Sequence, residues 1–289
     1  MSDPAVENFL RVPDFLQSHS ELRRRGVTLA TAIKPPVVYE TALDEIPPMV
    51  VKVLNPDNEE AGVLEKFQTD LRSPNHVIPG EVIRSTPPLL LMPCILELKN
   101  IDLYKAPLTV LVNLFLQILE GVDHLHSQRV AHLDLCTGNI TAAFDEHAVH
   151  DRRIEAGKIY LIDFQTSRQL KLRPGEQPAV LLPKTQVPPP GGMKHFDPYS
   201  WNVYCLGNVF QRRLKLYSFG RPGEPWIIRR YIQWLTGTER GCVAVCHCRP
   251  TARRALNMLI VIRWVVRTYE TLWRLSSLII SVMGCDVAP

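Results

Sequence analysis

The sequence predicts an α+β protein in two unequal parts, a small β-rich part followed by a larger helical one. Three observations carry this. Between Val37 and Leu54, short runs rich in β-branched residues are bounded by prolines, the pattern of strands and turns. From Pro107 to Gln128 nearly everything outside one polar stripe is apolar, the pattern of a helix buried on most sides. The chain has 289 residues, 46% hydrophobic and 21% charged. That is enough to bury a sizeable core and the wrong composition for a disordered chain.

The elements follow in order. Residues 1–36 have weak periodicity and a basic knot at Arg23 to Arg25. They read as an N-terminal extension, weakly structured or part of the first unit. Val37 to Thr41 and Met49 to Leu54 are strands, parted by turn chemistry at Pro47 and Pro48. "EEAGVLEKFQTDL" has helical spacing, weakened by Gly62. "LLLMPCILEL" reads as a buried strand running into a connector. These assignments place a first unit at 37–92 and a second at 93–289.

In the second unit, Thr109, Asn113, Gln117, Glu120 and His124 form the polar stripe of the long apolar helix. "NITAAF" and "KIYLIDF" follow as strands joined by a charged turn. Pro174 to Pro198 is proline-rich and strand-poor, and the rest is helical. Met258 to Met283 is long enough to span a bilayer. However, Arg263, Arg267, Glu270 and Arg274 recur at spacings of four, three and four, one stripe of a helix. Four charges inside a span are costly. The expectation is an amphipathic helix packed on the core, with no membrane span.

Composition excludes some functions. The net charge of +4 is scattered, which gives no footprint for nucleic acid. "MSDPAVENFL" has neither a basic start nor an apolar run, so an intracellular protein, cytoplasmic or nuclear, is expected. The seven cysteines are then reduced thiols. Their tightest group, Cys242, Cys246, His247 and Cys248, lacks the second spaced pair that a structural zinc site needs.

The polar residues with chemical potential gather at the junction. Lys52 shares a strand face with Val50 and Leu54, which suggests a partnered ammonium. Glu60 lies on the apolar stripe of Val63, Leu64 and Phe67, where a carboxylate needs a cation. Glu65 is the alternative partner, in a poorer helical phase. Asp134 and Asn139 follow the buried helix in a loop. Asp163 ends an apolar strand, a position that suits a cation or Mg²⁺. Singly, each has an ordinary structural reading; their order together does not.

That order resembles the eukaryotic protein kinase superfamily, in a divergent form like those of fungal genomes. Lys52 in "VVKV" resembles the lysine of the third strand. "HLDLCTGN" resembles the catalytic loop, and "IDFQ" the metal-binding DFG. "SWNVYCLGNVF" and "RPTARRAL" resemble later conserved helices. The resemblance covers about residues 37–260. It implies a bilobal kinase-like fold with a small β-rich N-lobe and a larger helical C-lobe. It also implies ATP and Mg²⁺ as cofactors and a protein substrate or partner. Lys52 would bind the α- and β-phosphates and pair with Glu60. Asp134 would be the base, Asn139 and Asp163 the metal ligands, and Met92 and Pro93 the hinge against adenine.

The departures are equally specific. No G-x-G-x-x-G precedes Lys52. Leu133 replaces the arginine beside the base, and Cys136 the lysine that neutralises the transferred group. Gln165 replaces the glycine of DFG, and Asn202 the aspartate that braces the loop. Asp197 is a stand-in partner for Arg249. Three functions remain: a slow Ser/Thr kinase, a pseudokinase that binds nucleotide, and a nucleotide-free interaction scaffold.

Overall fold

The computed structural model describes residues 11–42, 46–69, 74–190, 193–237 and 245–282, with the side chains of the last helix described to residue 277. The protein is mixed α+β. Its first part is an antiparallel five-stranded sheet in the order β1-β2-β3-β5-β4. The strands are β1 (Leu29–Lys34), β2 (Val38–Thr41), β3 (Met49–Val53), β4 (Glu81–Ile83) and β5 (Leu89–Pro93). Alternation along the strands gives the sheet two apolar faces. On one face Val51, Leu89 and Leu91 pack with Tyr39. They are covered by Val12, Leu16 and Leu22 from around the short helices α1 (Asp14–Gln17) and α2 (Ser20–Arg24). The other face, with Val50, Leu54, Leu90 and Met92, meets Val63, Leu64 and Phe67 of α3 (Glu60–Gln68) in the main core.

The sheet runs across residue 37, and the described residues upstream are part of the first unit, one of the two forms expected for them. β1 lies before it and pairs with β2 in register from Leu29↔Thr41 to Lys34↔Val38. The helical turns upstream are too short to carry a periodic signal, and burial against the sheet holds them in place.

The second part is built on α4 (Leu108–Ser127). Leu111, Val112, Phe115, Ile118, Leu119, Val122 and Leu125 are all fully buried. α6 (Pro198–Ser218) crosses it with Phe210 stacked on Phe115, ring centroids 3.9 Å apart. α7 (Trp226–Thr236) packs on α6 at Gly207, where a Cβ would come within 2.6 Å of Thr236 Cγ2. α8 (Ala252–Val282) runs along α4 and buries Ala255, Leu259, Ile262 and Val266. Among the described residues only α4 is long and apolar enough to cross a membrane, and here protein encloses it. The expected charged turn between "NITAAF" and "KIYLIDF" holds a short helix, α5 (Asp145–His150).

Small sheets deliver the junction. β6 (Leu96–Glu97), β8 (Ile140–Ala142) and β9 (Ile159–Leu161) form one; β7 (Val130–Ala131) and β10 (Arg168–Gln169) form another. β7 leads into residues 132–139, β8 leaves them, and β9 ends just before Asp163. The loop and the strand end are thus neighbours because their strands are. Beyond them, β11 (Val180–Leu181) pairs with β12 (His195–Phe196), which closes the proline-rich stretch into a loop.

Candidate functional site

Lys52 lies in the middle of β3, between Val38 of β2 and Leu90 of β5. Its side chain is only 5% exposed as a residue and points at the junction. Its Nζ donates to Glu60 Oε1 and to Asp163 Oδ1, each at 2.6 Å. The phase argument for Glu60 matches this geometry. Glu65 instead pairs with Arg84 on the surface. Glu60 is placed by its helix start, where its backbone N–H is taken by Asn58 Oδ1 at 3.1 Å.

Burial lowers the Lys52 pKa, but the carboxylates of Glu60 and Asp163 outweigh it and hold the ammonium above its ordinary value. Burial pushes the Glu60 carboxyl up, against the pull of Lys52 and of the Phe164 amide. Burial also raises Asp163, but there the charge of Lys52 wins and the carboxyl lies below its ordinary value. This is a buried triad with one cation between two anions, so a further cation at Asp163 would balance it.

Asp163 adopts a left-handed backbone, φ 61° and ψ 68°. A non-glycine residue there is uncommon and turns the carboxylate out of the line of β9. Its second oxygen has a cation nearby. Lys34 Nζ, from the tip of the β1–β2 hairpin, is 3.8 Å from Asp163 Oδ2, beyond hydrogen-bond length. The Lys34 side chain is 65% exposed, so it can leave at little cost. The hairpin tip is Lys34-Pro35-Pro36-Val37. Two prolines donate no N–H, and the Val37 amide is used by Lys34 O. This turn offers a lysine where a glycine loop would offer amides.

The loop before β8 is braced from below. Leu133 is fully buried at φ 67°. Its N–H donates to Asn202 Oδ1 at 2.9 Å and its carbonyl accepts from Trp201 Nε1 at 2.8 Å. An amide at position 202 thus keeps the hydrogen bond of the brace without its charge. Asn202 Nδ2 lies 3.0 Å from Nε2 of buried His126. Burial pulls the His126 pKa down to about 3. The ring is therefore neutral, as an acceptor from an amide must be.

Above the brace, Asn139 Nδ2 donates to the Asp134 carbonyl at 2.8 Å and approaches Asp134 Oδ2 at 3.4 Å. The Asn139 carbonyl accepts from Ile162 N–H at 3.0 Å, which sets it beside the strand end carrying Asp163. Cys136 is a buried thiol whose pKa burial raises. It supplies no charge.

Both oxygens of Asp134 are occupied. Gln186, from the proline-rich stretch, donates its backbone N–H to Oδ1 at 2.7 Å and its side-chain Nε2 to Oδ2 at 3.2 Å. Sequence reasoning missed Gln186 and Lys34. Nothing periodic marks Gln186, 52 positions from its partner. The two prolines after Lys34 were a turn signal that placed it at a tip.

α3 is tied to the far side of the junction. Asn58 donates to the Gln165 carbonyl, Glu59 accepts from Gln169 N–H, and Lys66 reaches the Gln128 carbonyl. Of the expected hinge pair, Met92 pairs with Val50 and faces the Lys52 side of the sheet. Pro93 pairs with Met49 at the last position of β5, and the connector starts at Cys94. Asp197 and Arg249, the expected stand-in pair, line one pocket. Asp197 caps α6 through the Tyr199 and Ser200 amides and accepts from Cys246 N–H. Arg249 donates to the Thr236 carbonyl and lies over Phe196 and Tyr204. Of the cysteine group, Cys246 and Cys248 have sulfurs 3.2 Å apart, while Cys242 lies outside the described residues.

A metal can be tested against these donors. Mg²⁺ takes one or two carboxylates, completed by substrate phosphates and water. Asp163 and Asn139 are donors of the type that requirement names, on a strand end and the adjoining loop. Among the described residues no cluster of three His, Cys, Asp or Glu side chains forms an all-protein metal cage. No protein-family model matches the chain, and no curated protein matches it.

Proposed function

We propose that the chain is a divergent protein kinase-like domain with a bilobal fold. Its cleft takes a magnesium nucleoside triphosphate, and it transfers the terminal phosphoryl group to a Ser or Thr hydroxyl of a protein. One observation carries the reading: buried Lys52 bridges Glu60 and Asp163, with Asp134 and Asn139 on the adjoining loop. An ammonium held charged in a protein interior between two chain segments is costly to maintain. It is the arrangement that receives phosphate oxygens.

In this reading Lys52 binds the α- and β-phosphates, and Met92 lines the adenine side. Asp163 and Asn139 hold Mg²⁺, which when bound offsets negative charge on the phosphates. Asp134 orients the acceptor hydroxyl. The hydroxyl oxygen bonds to the terminal phosphorus, the bond to the bridging oxygen breaks, the diphosphate leaves, and the proton passes to the Asp134 carboxylate. Lys34, an exposed ammonium 3.8 Å from Asp163 Oδ2, is a second cation at the site where Cys136 supplies none.

A second reading, nucleotide binding without transfer, is favoured by Gln186 on both oxygens of Asp134 and by a hairpin tip without free amides. One experiment separates them. Melting is measured for wild type and Asp163→Asn with ATP, with and without Mg²⁺, and transfer to mixed Ser/Thr peptides is followed in parallel. The kinase reading expects a Mg-dependent shift in wild type, its loss in Asp163→Asn, and label on peptide. A shift without label supports the binding-only reading. No shift in wild type with an intact fold refutes both.

A further inference from the structure

α8 is amphipathic twice over. One face, with Ala255, Leu259, Ile262 and Val266, is buried against α4. At about 100° per residue, a different face carries Met258, Val261, Val265, Leu272 and Leu275. Trp264 and Tyr269 flank these five. All seven are between 47% and 69% exposed. They fall within an arc of roughly 140° about the helix axis. This is a continuous apolar stripe, not scattered surface residues, and single chains rarely leave such a stripe in water.

We propose that this stripe is a dimer interface, and that its occupant is the same stripe of a second copy of the chain. Three features point to self-pairing. Met258, Val261, Val265, Leu272 and Leu275 follow the alternating three- and four-residue spacing of a coiled-coil seam, with Thr268 the single polar interruption. The seven exposures together offer at most roughly 800 Å² per copy, an upper bound that reaches the size a standard interface takes from each partner. Most of the basic residues lie off the stripe, the exposed exception being Arg254, one seam position before Met258 and over the Trp234 ring. Arg263, Arg267 and Arg274 turn away from the stripe and, with Thr109 and Asn113, line a polar cavity of about 440 Å³ between α8 and α4.

That last feature weighs against a lipid occupant. A helix lying on an anionic membrane sets its basic residues along the water side of its apolar face, within reach of head groups. Here three of the arginines line a cavity on another side of the helix. Two-fold pairing of α8 leaves the junction at Lys52 open, because the main packing partner of α8 is α4. The inference therefore stands whether or not the site binds nucleotide.

The test is sedimentation equilibrium of the full chain across a wide range of concentration. It uses wild type and the variants Val265→Glu and Leu272→Glu. Both positions are solvent-facing in the monomer, so the fold should survive, and circular dichroism checks that it does. The expected result is a wild-type mass twice that of the chain, falling to a single chain in both variants with helicity kept. A monomeric wild type at every concentration overturns the proposal, as does a variant that stays dimeric. Wild type is also floated with phosphatidylserine vesicles. A monomer that floats, and loses flotation in Leu272→Glu, assigns the stripe to lipid and overturns the dimer.

Discussion

Two contacts at the junction make opposite predictions for single residues. Lys52 is the main counter-charge of Glu60, which is 1% exposed. Lys52→Met leaves that carboxylate buried and unpaired. The expected cost is about 3 kcal/mol at neutral pH, read from urea unfolding, with loss of any nucleotide-dependent melting shift. A cost under about 1 kcal/mol, the value of an exposed pair, would contradict the buried bridge. Gln186 acts the other way. Its amide and side chain cover the oxygens that must accept a proton. Gln186→Ala removes only the side-chain bond and frees Oδ2, the backbone bond to Oδ1 being kept; peptide phosphorylation should rise several-fold while the nucleotide melting shift stays as in wild type. An unchanged rate would mean that the loop leaves Asp134 without help. The first contact was legible in the sequence and the second was not. Lys52 and Glu60 each sit in an element whose period fixes a face, so phase alone points them inward. Gln186 sits where no period exists, and only the closure of the chain by β11 and β12 brings it to Asp134.

At the scale of elements, the glycines of two helices test what the packing demands. In α3 an added Cβ at Gly62 meets nothing within 4 Å. The sequence marks Gly62 as a weak point of its helix, and the structure gives no reason for it. Gly62→Ala should stabilise by up to about 1 kcal/mol through helix propensity. In α6 the same change at Gly207 drives a methyl to 2.6 Å from Thr236 Cγ2 and 3.3 Å from its backbone nitrogen. Gly207→Ala should cost about 1–3 kcal/mol, the range for overpacking. Thermal melting of the two variants should therefore move in opposite directions. A stabilised Gly207→Ala would show that α6 and α7 slide freely. The long elements were read correctly for a related reason. α4, α6 and the β3–β5 core are long or apolar enough for periodicity to rise above local noise. β1, α1 and α2 escaped because their order comes from the sheet face they cover.

The molecule as a whole should lose stability as pH falls below neutrality, and the sign follows from where its titrating groups sit. His126 joins α4 to Asn202 of α6, and its pKa is pulled from 6.5 to about 3 by burial. Between those values the unfolded chain takes up a proton that the folded protein refuses. The stability this gives is complete above pH 6.5 and drains as pH falls toward 3. Fully buried His132 is depressed in the same direction by burial. Asp163, depressed because Lys52 overcomes its burial, adds to the loss only below its unfolded value, near pH 4. Glu60 and Asp197 oppose it. Burial raises both, so over the pH range just above their unfolded values the folded protein binds the extra proton and is favoured by acid. His126 alone is worth about 2 kcal/mol between pH 7 and 5. The two raised carboxyls offset a part of this that grows as pH 4 approaches. Urea midpoints at pH 7, 6 and 5 should therefore fall, and more steeply between 6 and 5 than between 7 and 6. In His126→Gln the absolute stability will differ, because the new side chain must find its own bond to Asn202. The slope is the measurement: it should flatten by the histidine's share. A variant with the wild-type slope would show that His126 titrates normally. The neutral ring beneath the Asp134 loop would then have to be abandoned, and with it the account of how an asparagine braces that loop.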